Sequence, residues 1–322
     1  MLTSACIVLA AVLVDWVLGE PRRLHPLVGF GRLADRLERS LYGSAGLNGI
    51  ARKIRGATAL LLLLLTFTSV AVVLSQLPYV GTLLSVLMLY LTIGHKSLHD
   101  HAAPIVIALN NADVDYARRL VSRMVSRDSS ALDISAAATE SVLENGNDGV
   151  FGALFWFAVA GAPGAVLYRL ANTLDAMWGY RNQRYHDFGW AAARFDDVLN
   201  YFPARLTAIT YALVVIDFRA LATPVTASCV FVKSRQALAC WQTQAPLWDS
   251  PNAGPVMAAG AGALGVTLGG PACYLGEWHQ RPILGAGAAA TADDIRRALQ
   301  LVRHSVGVWV VVFFILAAWS HA

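Results

Sequence analysis

The sequence predicts an all-α, polytopic integral membrane protein: a helical bundle of roughly five or six spans, with cytoplasmic loops and amphipathic helices. The first ground is composition, because 56% of the 322 residues are hydrophobic and only 14% are charged. With a mean hydropathy of +0.51, the chain is far more apolar than a soluble domain of its length. The second is that the apolar residues are gathered into runs fit to cross a hydrocarbon core of about 30 Å. The third is the crowding of arginines between those runs, as the positive-inside rule expects of cytoplasmic loops. Strand-period alternation, a long linker and an internal repeat are all missing, so residues 1–322 are expected to form a single integral membrane domain.

The formal charge of +4 and pI near 9.0 do not imply nucleic acid, since basic residues in a membrane protein mark sidedness. Cys6, Cys229, Cys240 and Cys273 form neither a CxxC pair nor a Cys/His cluster, so zinc and disulfides are not expected and the cysteines read as packing residues.

Leu2 to Leu18 is apolar except for Asp15 and lacks a basic leader and a small-residue cleavage site, which predicts a retained transmembrane helix. In DWVLGEPRRLHPLVGFGRLADRLERSLYG, Pro21, Pro26, Gly29 and Gly31 predict a loop before a short surface helix. Arg22, Arg23, Arg32, Arg36, Arg39, Arg52, Lys53 and Arg55 outnumber Glu20, Asp35 and Glu38 here, placing this loop in the cytoplasm and the N-terminus outside. Ala57 to Gln76 and Tyr79 to Gly94 then form a hairpin of two spans about Leu77-Pro78. His95 to Met124, with Arg118, Arg119 and Arg123, reads as cytoplasmic.

Ser130 and Asp133 form a capping-box signature, predicting a helix to about Asn145. Asp133, Glu140 and Glu144 share one face of it, with Asp148 in the following loop. Val150 to Leu170 contains Gly152, Gly161, Pro163 and Gly164; a kinked span, a re-entrant segment and a buried helix are all open readings. One simple crossing there would put Glu140 and Asp197 on opposite sides of the membrane, so a single site requires the segment to turn back or dip only partway. Leu206 to Leu221 is apolar apart from Asp217 and Arg219, and Thr223 to Val232 is a short apolar run that pairs with it on one reading. A Gly- and Pro-rich segment from Asp249 precedes Thr291 and Asp294, a second capping box opening a helix through Arg303, and Ser305 to Trp319 is the final span.

Polar residues inside so oily a chain carry the chemistry. In YRLANTLDAMWGYRN, Arg169, Asn172 and Asp175 recur at steps of three, roughly one side of a helix. In ARFDDVLNYFPAR, Asp196 and Asp197 pair with Asn200 at i,i+4 and i,i+3. Hard oxygen donors suit magnesium, and arginines suit phosphate or carboxylate; together they point to a magnesium-bound phosphate compound. Helix-to-helix ion pairs account for any one of these residues nearly as well. Taken as a set they favour a site, because ionisable groups at membrane depth are costly. Asp15, Glu20 and His25 form a weaker trio, equally well read as helix caps. His95 and His99 stand at i,i+4 without an HExxH pattern, so a packed pair outweighs a metal site. A GxxxxGK[ST] loop is absent, so any nucleotide is held otherwise. The glycines from Gly260 to Gly270 serve backbone approach to phosphate or close helix packing equally well.

DWVLGEPRRLHPLVGFG, SRDSSALD, ESVLENGNDG, GAPGAVLYRLANTLDAMWGYRN, FGWAAARFDDVLNYFPAR and SPNAGPVMAAGAGALGVTLGGPACYLGE together resemble the adenosylcobinamide-phosphate synthase family (CobD/CbiB) of cobalamin biosynthesis, from about Asp15 to Gly285. The resemblance implies an ATP-dependent amide ligase in the cell inner membrane, its active site facing the cytoplasm. It would join the free propionate of adenosylcobyric acid to aminopropanol or aminopropanol phosphate, beside other membrane enzymes of late cobalamin synthesis. The active-site core is then expected at about residues 127–205 with 250–285.

On residue chemistry, Glu140, Glu144, Asp148, Asp196 and Asp197 are the candidates for general base work or magnesium, with Glu144, Asp148 and Asp197 as metal ligands. Arg127, Arg169, Arg181 and Arg205 are expected to hold phosphate or carboxylate, and Asn172, Asp175 and Asn200 to orient substrate. The chain departs from the family's habit only at PVMAAG and CYLGE, away from any charged candidate. Two rivals are a non-catalytic membrane sensor or accessory protein akin to one linked to β-lactamase induction, and an intramembrane prenyltransferase. The first expects an eroded acid and arginine set, which is intact here; the second expects aspartate-rich repeats, which are absent.

Overall fold

The computed structural model describes residues 1–21, 25–43, 47–125, 127, 132–180, 182–215, 231–274 and 276–320. They fall into two compact units, one of Met1–Gly94, Asp148–Asn200 and Phe313–Ala322, the other of His95–Asn147 and Tyr201–Val312.

The first unit contains α1 (Leu2–Leu18), α2 (Pro26–Leu41), α3 (Gly49–Ser75) and α4 (Gly81–Thr92). α5 (His95–Asn110), α6 (Val114–Val121) and α7 (Ile134–Gly146) follow in the second. A π turn over Asn147–Phe151 leads into α8 (Gly152–Trp178), and α9 (Tyr185–Phe188) precedes α10 (Trp190–Val214). α11 (Val232–Gln244) and α12 (Ala253–Leu264) are succeeded by short strands and α13 (Ala292–Trp319). Among the described residues, Gly49–Ser75, Ile134–Trp178 and Ala292–Trp319 are long and apolar enough to cross a membrane, with Leu2–Leu18 and Ala253–Leu264 as shorter apolar helices. The chain is a polytopic helical membrane protein, as its composition predicts.

Several boundaries differ from expectation for local reasons. Pro78 and the positive φ of Tyr79 (68°) delay α4 to Gly81, and its 12 residues rise only about 18 Å, short of the span expected from Tyr79 to Gly94. Ser130 lies outside the described residues; α7 is capped instead by Asp133, whose Oδ1 accepts the Ala136 N–H at 3.0 Å. Asp148 sits in the π turn and not in a loop. The Thr291 N–H donates to Asp294 Oδ2 at 2.8 Å, one of the two bonds of a capping box, and its hydroxyl donates to the same oxygen at 2.8 Å, but α13 continues unbroken to Trp319. α10 carries the Leu206–Leu221 run only to Val214; the remainder, with residues 223–230, falls outside the described positions.

The sharpest departure from a straight rod is inside α8. Ala160 leaves the helical region and Gly161 takes φ 65°, a conformation open to glycine at no steric cost. Pro163 then restarts the helix, where its missing N–H is not needed. The arms fold against each other: Tyr168 Oη lies 3.3 Å from the Asp148 carbonyl oxygen, and a Cβ on Gly164 would meet the Trp156 carbonyl oxygen at 2.3 Å. Val150 to Leu170 is therefore a hairpin that turns back.

The second unit also contains strands, against the expectation of none. β1 (Val266–Gly269) pairs antiparallel with β4 (Ile283–Gly285) and parallel with β5 (Ala288–Ala289), while β2 (Ala272–Tyr274) and β3 (Glu277–His279) form a separate two-stranded pair. None exceeds four residues, too short for alternation to register as a period.

Candidate active site

In the first unit the returning arm of α8 and the start of α10 bring together most of the oxygen donors. Asp196 is buried, accepting from Asn200 Nδ2 at 3.0 Å and Asn172 Nδ2 at 3.4 Å. Asn200 Oδ1 in turn accepts from Tyr168 Oη at 2.8 Å. Burial drives the Asp196 carboxyl up to about 6; the two amide hydrogen bonds oppose this, and the charge of Asp197 adds to it. Asp196 and Asp197 both act through space on Asp175, and Arg194 reaches Asp197 at 3.5 Å. Asp148 supplies its backbone oxygen beside Tyr168.

Arg169 belongs to a neighbouring group. A Cβ placed on Gly94 would lie 3.4 Å from Glu20 Oε1 and 3.7 Å from Arg169 Nη2, ordinary contact distances that put the carboxylate and the guanidinium beside that backbone. Among the described residues, the buried Arg169 Nε has no hydrogen-bond partner. His25 caps α2 by accepting the Leu27 N–H at 3.1 Å, which is the capping role open to it from sequence. Burial lowers its pKa and Arg169 does the same, against the pull of Glu20. Tyr90 fixes the turn after α1 by donating to the Gly19 carbonyl at 2.7 Å.

In the second unit, Glu140 is 1% exposed and faces two guanidiniums. Arg127 Nη2 donates to its Oε2. Arg281 Nη1 reaches Oε2 at 3.1 Å and Nη2 reaches Oε1 at 3.4 Å, while the Gly269 N–H donates to Oε1 at 2.8 Å. Four donors saturate a carboxylate with about four lone-pair sites, leaving Glu140 none for magnesium or a proton. Glu144 stands one turn along the same helix, partly exposed.

Arg205, also in the second unit, clamps the SPNAG turn. It donates to Asn252 Oδ1 at 2.9 Å and to the Pro251 carbonyl at 3.0 Å, and stacks 3.6 Å over the Tyr201 ring. An open cavity of about 500 Å³ borders it, lined in part by Trp241, Trp248 and Asp249. His95 is buried, and burial, with His99 and Arg303 nearby, lowers its pKa to about 4.

Arg181 lies outside the described residues. Sequence reasoning missed Tyr168, Arg281 and Asn252, while Gly269 belongs to the glycine run weighed as a backbone donor and gives its N–H to Glu140. Tyr168 adjoins Arg169 in YRLAN and Asn252 lies within SPNAG, so both were within reach. Arg281, in a Gly- and Pro-rich stretch, has no spacing that ties it to Glu140, 141 residues away. Among the described residues no three His, Cys, Asp or Glu side chains are grouped to hold a metal. Magnesium that arrives with phosphate needs only one or two protein carboxylates, and the aspartates around Asp196 fit that lesser demand.

A family described as CobD/Cbib protein matches residues 8–302. The chain is similar to "Cobalamin biosynthesis protein CobD" of Stutzerimonas stutzeri (strain A1501), 56% identical over 98% of both chains. It is 52% identical to the protein of that name from Chromobacterium violaceum, over 97% of this chain and 96% of the relative. To the protein of that name from Mycobacterium tuberculosis (strain ATCC 25618 / H37Rv) it is 39% identical, over 94% and 92%. No solved structure matches it. With residues 8–302 matched in order and relatives covered nearly end to end, the chain belongs to the CobD/Cbib family.

Proposed function

We propose that this protein is an ATP-dependent amide ligase of cobalamin biosynthesis, joining the free propionate of adenosylcobyric acid to aminopropanol or aminopropanol phosphate. The observation that carries the reading is the buried Asp196 carboxylate, held between Asn172 and Asn200 and raised to about 6. A base poised near neutrality matches the proton transfer that amide formation needs.

The propionate oxygen attacks the γ-phosphorus of ATP, and ADP leaves as an acyl phosphate forms. The amine nitrogen then attacks the acyl carbon; the C–N bond forms, the C–O bond to phosphate breaks, and the nitrogen's proton passes to Asp196. Asn172 and Asn200 hold Asp196 in place through the hydrogen bonds described, and Tyr168 locks Asn200. Arg169, its Nε without a hydrogen-bond partner among the described residues, is the cation for a carboxylate or phosphate oxygen. Magnesium, when bound, neutralises the phosphate charge; Asp148 and Asp197 would hold it in this unit, and Glu144 is the corresponding candidate in the second. The setting is the inner membrane with the site toward the cytoplasm, alongside other membrane enzymes of late cobalamin synthesis.

The test is incubation of purified protein with adenosylcobyric acid, ATP, magnesium and either amine. The expected result is a corrinoid of the amide's mass with release of ADP; no product with either amine replaces this reading with the accessory role.

A further inference from the structure

Arg281 has spent three of its N–H bonds, two on Glu140 and one, at 2.9 Å, on the Gly270 carbonyl. A guanidinium carries five. Arg127 donates to the same Glu140 Oε2 that Arg281 Nη1 reaches, and both arginine side chains retain 12% exposure while Glu140 has 1%. Two cations thus converge on one anion, with the anion innermost and the cations partly open. Trp248 lies beneath Arg281, its ring 5.1 Å from the guanidinium carbon, which limits how far that side chain swings.

One guanidinium is enough to neutralise one carboxylate, so two on Glu140 leave a net positive charge. Arg281 keeps one N–H on each Nη beyond those spent on Glu140 and Gly270, and Arg127 keeps further N–H groups, single donors that suit phosphate oxygens. We infer that Arg127 and Arg281 form a paired guanidinium clamp for a substrate phosphate, and that Glu140 is a positioning residue which holds the two guanidiniums and does not touch substrate. This rests on the ligase reading and names the group the second unit recognises. The phosphate has two sources, aminopropanol phosphate and ATP.

Calorimetric titration of the full-length protein with aminopropanol phosphate, aminopropanol and magnesium ATP, for the wild type and for Arg281→Ala, tests it apart from turnover. The expected result is that Arg281→Ala weakens a phosphate-bearing ligand by about tenfold or more, with Arg281→Lys intermediate and aminopropanol unaffected. Loss confined to aminopropanol phosphate assigns the clamp to the amine substrate, and loss confined to ATP assigns it to the nucleotide. Glu140→Gln should raise KM for the same ligand with kcat nearly kept, which a merely structural role would not select. Equal binding of both phosphates by wild type and Arg281→Ala, with only the melting temperature lowered, overturns the clamp. Phosphate binding lost in Arg281→Ala by a wild type that forms no amide would leave the clamp standing and sink the ligase reading alone.

Discussion

Tyr168 donates its hydroxyl hydrogen to Asn200 Oδ1 at 2.8 Å, tying the returning arm of α8 to α10. Replacing Tyr168 with Phe leaves a buried amide oxygen without its donor, a loss of about 1–3 kcal/mol. The expected outcome is a lower melting temperature in detergent and, because Asn200 also donates to Asp196, slower turnover. Unchanged values for both would detach Tyr168 from the site.

Gly152 is where the hairpin arms come closest, since a Cβ there would lie 2.0 Å from Tyr168 Cζ. Gly152→Ala therefore overpacks the interface, at a cost of about 1–3 kcal/mol. In a Tyr168→Ala background the same change should cost far less, and a double-mutant cycle measures that coupling. Additive effects would mean the arms are not held by this contact.

Asp196 gives stability a pH slope. Its carboxyl is raised from 3.8 to about 6 in the fold, so between those values the folded chain holds a proton that the unfolded chain has released. That contribution is complete below the unfolded value and is lost as pH climbs through about 6, amounting to about 3 kcal/mol by pH 7. Thermal melts from pH 4 to 7 should show Asp196→Asn removing this decline.

His95 acts in the opposite sense. Burial lowers its pKa from 6.5 to about 4, so the unfolded chain takes up a proton first as pH falls. Stability is complete above 6.5 and declines toward 4, by about 3 kcal/mol from this residue. Replacement by Gln should flatten the acid limb of the same melts; an unaltered limb would mean His95 is protonated in the fold.

The helical class, the membrane character and the caps at Asp294 and around Asp133 were legible because each rests on local chemistry: hydropathy, or a polar side chain three residues from an N–H. The Asp196 and Asn200 pair was legible for the same reason, being set by i,i+4 spacing on one motif, whereas the Asn172 contact to Asp196 joins two motifs 24 residues apart. What escaped was long-range. Arg281 meets Glu140 across 141 residues, through strands too short to show a period. The turn at Gly161 was one of three open readings, because Gly and Pro in an apolar run mark a break without giving its angle.

The helix α12 carries a consequence for how variation in this chain is read. All twelve of its residues are buried, two thirds of them Ala or Gly, and added methyls on Gly260 and Gly262 would strike Leu143 and the Ala237 backbone at 2.6 and 2.8 Å. A saturation scan would therefore mark Ala253–Leu264 as uniformly intolerant, as sharply as the residues around Asp196, although its constraint is volume and not chemistry. The two are separated by small-for-small exchange: Ala→Gly or Ala→Ser in α12 should be borne far better than Asp196→Asn, which keeps the size and changes the charge.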